Sequence, residues 1–202
     1  MKKLYTLLAL TMSFSMNAQL TAVTEGGNTG QRLSTSNASN HGNIGSDAVD
    51  LSVQSLASST RGATGFKAVA MGSNTTASGS ISTAIGNANE ASGTFSTSMG
   101  VSTLASGYGS TSMGNYTVAS GWHSTAMGSN TTASGSYSTA IGLYATASDY
   151  SSTVIGQHNS SGSSVTNNAT SFSTSNTAFV IGNGENSDNK SDAFKVMFDG
   201  TT

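Results

Sequence analysis

Apolar and polar positions recur along the middle of the chain with a strict period. Met71, Ile85, Met99, Met113, Met127, Ile141 and Ile155 stand fourteen residues apart, and each is followed by a glycine: Gly72, Gly86, Gly100, Gly114, Gly128, Gly142 and Gly156. A period shorter than about twenty residues is too brief for a helix pair or a propeller blade, so each unit predicts one coil of a β-solenoid. Two strand-like segments recur in every unit, Ser-Thr-Ala-Ile/Met-Gly and a second ending Ala-Ser-Gly, as in GSISTAIGNANEAS over 79–92.

Side chains alternate across a strand, so the residue two before each Ile or Met shares its face. Those residues are Val69, Thr83, Thr97, Thr111, Thr125, Thr139 and Thr153. By hydrophobicity this Thr and Ile/Met face is expected to fill the interior. The opposite face, Ala70, Ala84, Ser98, Ser112, Ala126, Ala140 and Val154 with the serines from Ser82 to Ser152, is then expected outside, small enough for another backbone to approach. Ala77, Ala91, Ala105, Ala119, Ala133 and Ala147 are expected inside, and the variable residue before each of them exposed. The recurring glycines suit corners with positive φ, and Asp149 replaces one of them.

The flanks lack the register. Residues 1–18 read as a signal peptide: Lys2 and Lys3 precede an apolar run from Leu4 to Met16, and Ala18 offers a small residue for cleavage. The run is too short and too interrupted for a membrane anchor. Residues 19–62 form a polar cap or linker with one strand-like piece, Ala48 to Val53, in which Ala48, Asp50 and Ser52 face opposite to Val49, Leu51 and Val53. The repeats occupy 63–162. Residues 163–202 are a polar linker and β connector with strands expected at Thr177–Ile181 and Ala193–Phe198, and the chain is expected to be truncated after them.

Composition narrows the function. Charged residues make up 8% of the 202, against about 25% in a typical soluble domain. With seven Lys and Arg and a formal net charge of −2, there is no electrostatic footprint for nucleic acid or anionic lipid. Absence of cysteine removes disulfides and thiolate chemistry. Each coil buries little apolar area, so stability is expected to depend on oligomerisation.

The pattern Ser-Thr-Ala-Ile-Gly followed at fixed distance by Ala-Ser-Gly resembles the fourteen-residue head repeat of trimeric autotransporter adhesins, the YadA-like or haemagglutinin-type head. The resemblance covers roughly half the chain. It implies an all-β, left-handed parallel β-roll, three chains side by side as a homotrimer, with the pair at Thr83 and Ile85 filling the roll interior. This chain departs from the family in having threonine at six of seven positions where valine is usual. The family's coiled-coil stalk and C-terminal β-barrel anchor have no counterpart in these residues, so membrane attachment is expected only through an anchor beyond Thr202. The resemblance implies an exported protein of the cell surface, outer membrane or extracellular space.

Little chemistry stands out. His41, His123 and His158 are far apart and are read as exposed polar side chains. Glu90 is the only acid between Lys67 and Asp149, so a paired-carboxylate glycosidase site has no second member there. Glu185, Asp188 and Asp192 are read as a solvated loop rather than a calcium site. No catalytic, metal or cofactor residue is expected, and the protein is read as no enzyme. Aromatic residues cluster near the corners, and Tyr108, Tyr116, Trp122, Tyr137 and Tyr144 are the candidate interaction surface. The expected function is adhesion to a host, cell or matrix ligand; the alternatives are an ice- or crystal-binding solenoid, or a phage tail-fibre-like structural protein.

Overall fold

The computed structural model describes residues 20–160 and 168–202; the expected signal peptide and the start of the expected linker at 163 lie outside the described residues. The chain winds as a parallel β-solenoid of fourteen-residue coils. Each regular coil gives five residues to a twelve-stranded sheet and two residues to a seven-stranded sheet. Thr97–Val101 with Leu104–Ala105 makes one such coil, and Thr111–Asn115 with Val118–Ala119 the next. Because every coil has the same length, each residue stacks on its counterpart without slip: Met99 lies beside Met113, and Met113 beside Met127.

The orientation of the long strands is opposite to the sequence expectation. Ala70, Ala84, Ser98, Ser112, Ala126, Ala140 and Val154 are wholly buried inside the coil, as are the serines from Ser82 to Ser152. The residues expected inside, Val69, Thr83, Thr97, Thr111, Thr125, Thr139 and Thr153 with Met71, Ile85, Met99, Met113, Met127, Ile141 and Ile155, line the outer face. Most of them are half-buried there, and Met71 and Ile141 are each 40% exposed.

The reason is width. Ser98 Oγ donates across the coil to the carbonyl oxygen of Thr103 at 2.9 Å and lies 2.7 Å from the Thr103 hydroxyl; Ser112 and Thr117 meet at 2.7 Å in the next coil. A gap closed by two short hydroxyl side chains admits no Met or Ile. The core is therefore alanine, serine and threonine, completed by the Ala77 to Ala147 column at 0% exposure.

The corners also differ from expectation. The left-handed residues at both turns of a coil are mostly not glycines: Phe95 has φ 60° and Ser102 φ 53°, with Gly109 at φ 62° the exception at its turn. Gly100 does have positive φ, 124°. The other glycine column has a different cause, since a Cβ on Gly107 would land on the carbonyl oxygen of Gly121 in the next coil. Asp149 interrupts that column where the fourteen-residue spacing ends, and its carboxylate accepts the N–H of Thr177 at 2.7 Å.

The N-terminal segment is more than a linker. The antiparallel hairpin Leu20–Glu25 and Asn28–Leu33 joins the large sheet, followed by Val49–Val53, which pairs in parallel with Val69–Ser73. Here too the polar side points in: Asp50 and Ser52 are wholly buried, while Val53 is 59% exposed. At the other end Thr177–Asn183 continues the parallel sheet beside Thr153–Gln157, and Asp192–Met197 closes it antiparallel.

Candidate interaction surface

One corner of the solenoid carries a continuous line of aromatic rings. Its local cause is a four-residue turn repeated in each coil, as in Gly121–Ser124, where the Ser124 N–H donates to the Gly121 carbonyl at 3.2 Å. Gly121 and Ser124 are buried, so the two middle residues project outward. The second of them is left-handed, and its N–H donates to the preceding coil: His123 to Tyr108 O at 2.7 Å, and Tyr137 to Trp122 O at 2.6 Å. The turns thus stack one above another with their side chains at a fixed spacing.

Ring centroids follow at 5.4 Å from Phe95 to Tyr108, 5.5 Å to Trp122, 6.1 Å to Tyr137 and 5.5 Å to Tyr150. His123 stands among them, edge-on to Tyr108 and stacked on Tyr137 with planes 17° apart. Trp122 is 50% exposed, and Phe95, Tyr108 and Tyr137 are nearly as open.

The five sequence candidates therefore divide. Tyr108, Trp122 and Tyr137 belong to this line; Tyr116 and Tyr144 lie at the other corner of the coil, where Tyr144 stacks on His158 at 4.7 Å. Phe95 and Tyr150, which the sequence also places among the aromatics near the corners, join the line, and so does His123, which the sequence reading took only as an exposed polar side chain. The signal for His123 was the pair of turn positions shared by every unit, which aromatic identity alone does not reveal.

A second surface is the outer face of the large sheet. Leu51, Met71, Ile85, Met99, Met113, Met127, Ile141, Ile155 and Ile181 form one in-register apolar ladder over nine strands. Beside it the threonines from Thr83 to Thr153 form a second ladder over six coils. At about 4.8 Å between strands, the apolar ladder is roughly 38 Å long.

The titratable groups sit elsewhere. His41 and His158 are buried, contrary to the reading of the histidines as exposed; only His123 is open. His41 Nδ1 lies 2.8 Å from Asp50 Oδ2 inside the N-terminal cap. Arg32 clamps Glu25 through two bonds of 2.7 and 3.0 Å, donates to Gly42 O at 3.0 Å, and stands 3.5 Å from Asp50. Burial pushes the Asp50 carboxyl up, but hydrogen bonds from His41 and Ser52 and the neighbouring His41 charge outweigh it and hold the group below its ordinary value. These groups tie segments together; none presents a nucleophile beside a base. Among the described residues, no three His, Cys, Asp or Glu side chains are arranged to hold a metal ion, and no helix is long and apolar enough to cross a membrane.

A two-copy model of the YadA head domain repeat matches the chain in six overlapping windows, 63–89, 77–103, 91–117, 105–131, 119–145 and 133–159. Each window starts fourteen residues after the last, the spacing of the coils. No curated protein matches the chain.

Proposed function

From the premise that residues 63–159 belong to the YadA head repeat family, we propose that the protein is an adhesin head: a side-by-side homotrimer, displayed outside the cell, that binds a host, cell or matrix ligand through its exposed corners. One observation carries the trimer. The roll buries its small residues within itself and leaves an in-register ladder of Ile and Met half-exposed on the outer face of the large sheet. Contiguous apolar surface of this kind marks an interaction site in soluble proteins. The covering surface is the same ladder on two further copies, since only an object with the same coil spacing meets it row for row. This reverses the sequence expectation, in which the Ala/Ser face met the neighbours.

Sedimentation of the exported chain tests the reading. A trimer is expected, and Met99→Glu with Met113→Glu and Met127→Glu should convert it to monomer, because burying unpaired carboxylates between subunits is costly. A wild-type monomer would overturn it.

The outward threonine ladder supports a second reading, an ice- or crystal-binding solenoid. The two readings compete for one face, since threonines buried between subunits cannot meet a lattice. A monomer with thermal hysteresis at micromolar concentration would establish the second.

A further inference from the structure

We propose that the aromatic corner is a docking strip for an extended, uncharged, β-linked polysaccharide lying along the solenoid axis. The proposal rests on the surface-binding reading above and names the ligand class for one of its corners.

Shape comes first. Phe95, Tyr108, Trp122, Tyr137 and Tyr150, with His123 among them, run in one line over five coils, about 19 Å at the usual strand spacing. The line is a ridge edge and encloses nothing, so it suits a linear polymer rather than a small molecule. An extended sugar chain advances by a step per residue similar to one coil, and each pyranose offers an apolar C–H face to a ring and a rim of hydroxyls to its neighbours.

Charge and area agree. Of the fourteen residues at the two outward turn positions between Phe66 and Ser151, Lys67 is the only Lys, Arg, Asp or Glu, and it lies two coils from Phe95. Anionic polymers and charged peptides find no counter-charge along the strip. Four rings of about 150–250 Å² each, a little under half exposed, with the half-buried Tyr150 adding less, offer on the order of 400 Å². That falls short of the roughly 800 Å² per side of a standard protein interface.

The backbone gives the third argument. A peptide strand adds to a sheet edge through free N–H and C=O groups. At this corner the N–H groups of the second turn position, Phe95, Gly109, His123, Tyr137 and Ser151, are spent on the coil before, and at the first position those of Ser136 and Tyr150 donate to Ala169 and Asn168 of the same chain. Over the open coils from Phe95 to Tyr137 most of the surface offered to a ligand is ring faces and side-chain tips, the chemistry that recognises sugars.

The test uses substitutions that the repeats themselves supply. Ser80 and Ser136 stand at the turn position of Tyr108 and Trp122, and Ser151 at that of Tyr137, so Tyr108→Ser, Trp122→Ser and Tyr137→Ser together preserve the turn. The protein is mixed with amorphous cellulose, colloidal chitin, alginate beads or collagen fibrils, and the fraction left in solution is measured. Depletion by cellulose or chitin is expected, weakened at least tenfold in the triple variant and unchanged in Tyr116→Ser at the other corner. Trp122 is the single tryptophan, so cellohexaose or chitohexaose should shift its emission to the blue. No depletion by either neutral polymer, equal depletion of the triple variant, or capture by alginate or collagen alone overturns the proposal. Sedimentation of the same samples separates the two readings: a trimer that ignores neutral polysaccharides removes the strip and leaves the adhesin head standing.

Discussion

Arg32, Asp50, Ala70, Ala84, Ser98, Ser112, Ala126, Ala140, Val154 and Val180 form one inward column of the large sheet, each paired with the next. In the cap that column is charged, and in the coils it is neutral and small. The coils need no charge there, because their equal length fixes how each stacks on the last and the backbone ladder does the rest. The cap consists of a hairpin, a short 3-10 turn at Ala38–Asn40, a loop and one strand, none sharing a period. Its pieces are placed by directional bonds instead. Asp50 receives His41 and Ser52, and Arg32 holds Glu25 and the Gly42 carbonyl. A buried polar network of this sort specifies one arrangement, at the risk of heavy loss when any member goes.

Removing the carboxylate should break the cap hardest. Asp50→Ala leaves His41 buried without its acceptor and takes the carboxylate from beside Arg32, 3.5 Å away, and loss of one partner of a buried ion pair costs about 3–5 kcal/mol. Urea unfolding at fixed protein concentration measures it, with Ser98→Ala in the coils as reference. If the two variants unfold at the same urea concentration, the contrast between cap and coils has no energetic basis. The same carboxyl gives the cap an acid limit. Its folded pKa lies below the ordinary 3.8, so its contribution is complete above 3.8 and is lost as the pH falls through the lower folded value. Amide exchange at Gly42 to Ser46 should accelerate in that range in the wild type, and Asp50→Asn, already weakened at neutral pH, should show a smaller change.

The period, one coil per fourteen residues and the line of small residues were all legible in the sequence, because equal spacing constrains the backbone whatever fills the interior. Which face points in was not. An alternation of period two reads the same from both sides of a strand, and the larger apolar residues were assigned to a core that is too narrow to hold them. The same polarity holds at Val49–Val53, where Asp50 and Ser52 take the inside. The cap network was illegible for another reason: Arg32, His41 and Asp50 meet only through a fold with no repeat to announce it. Of the aromatic candidates, the corner was foreseen and its division into two edges was not, since that depends on which turn each residue occupies.

A smaller effect tests the inside of the coils. Ala126→Leu forces three more carbons into a gap that two short side chains close, and overpacking of a fitted core costs about 1–3 kcal/mol. Met127→Ser, one residue along, should leave the coil folded and weaken association, because Met127 lies on the outer face. Thermal unfolding and sedimentation, measured on both variants, distinguish the two. The opposite pattern would restore Ile and Met to the interior.

The smallest expected change is a gain. Where the inward column holds serine, its hydroxyl meets the threonine five residues on: Ser98 with Thr103, and Ser112 with Thr117, each at 2.7 Å. Where it holds alanine at Ala70 and Ala126, the hydroxyls of Thr75 and Thr131 are buried with no hydrogen-bond partner among the described residues. Ala126→Ser supplies one from a coil geometry that already accepts serine twice, and a buried hydrogen bond contributes about 0.5–1.5 kcal/mol net. A modest rise in the unfolding temperature is therefore expected, with Ser112→Ala shifting it down by a similar amount. If Ala126→Ser is neutral or worse, the hydroxyl pairing does not govern these coils, and their stability comes from the backbone ladder and the small-residue packing alone.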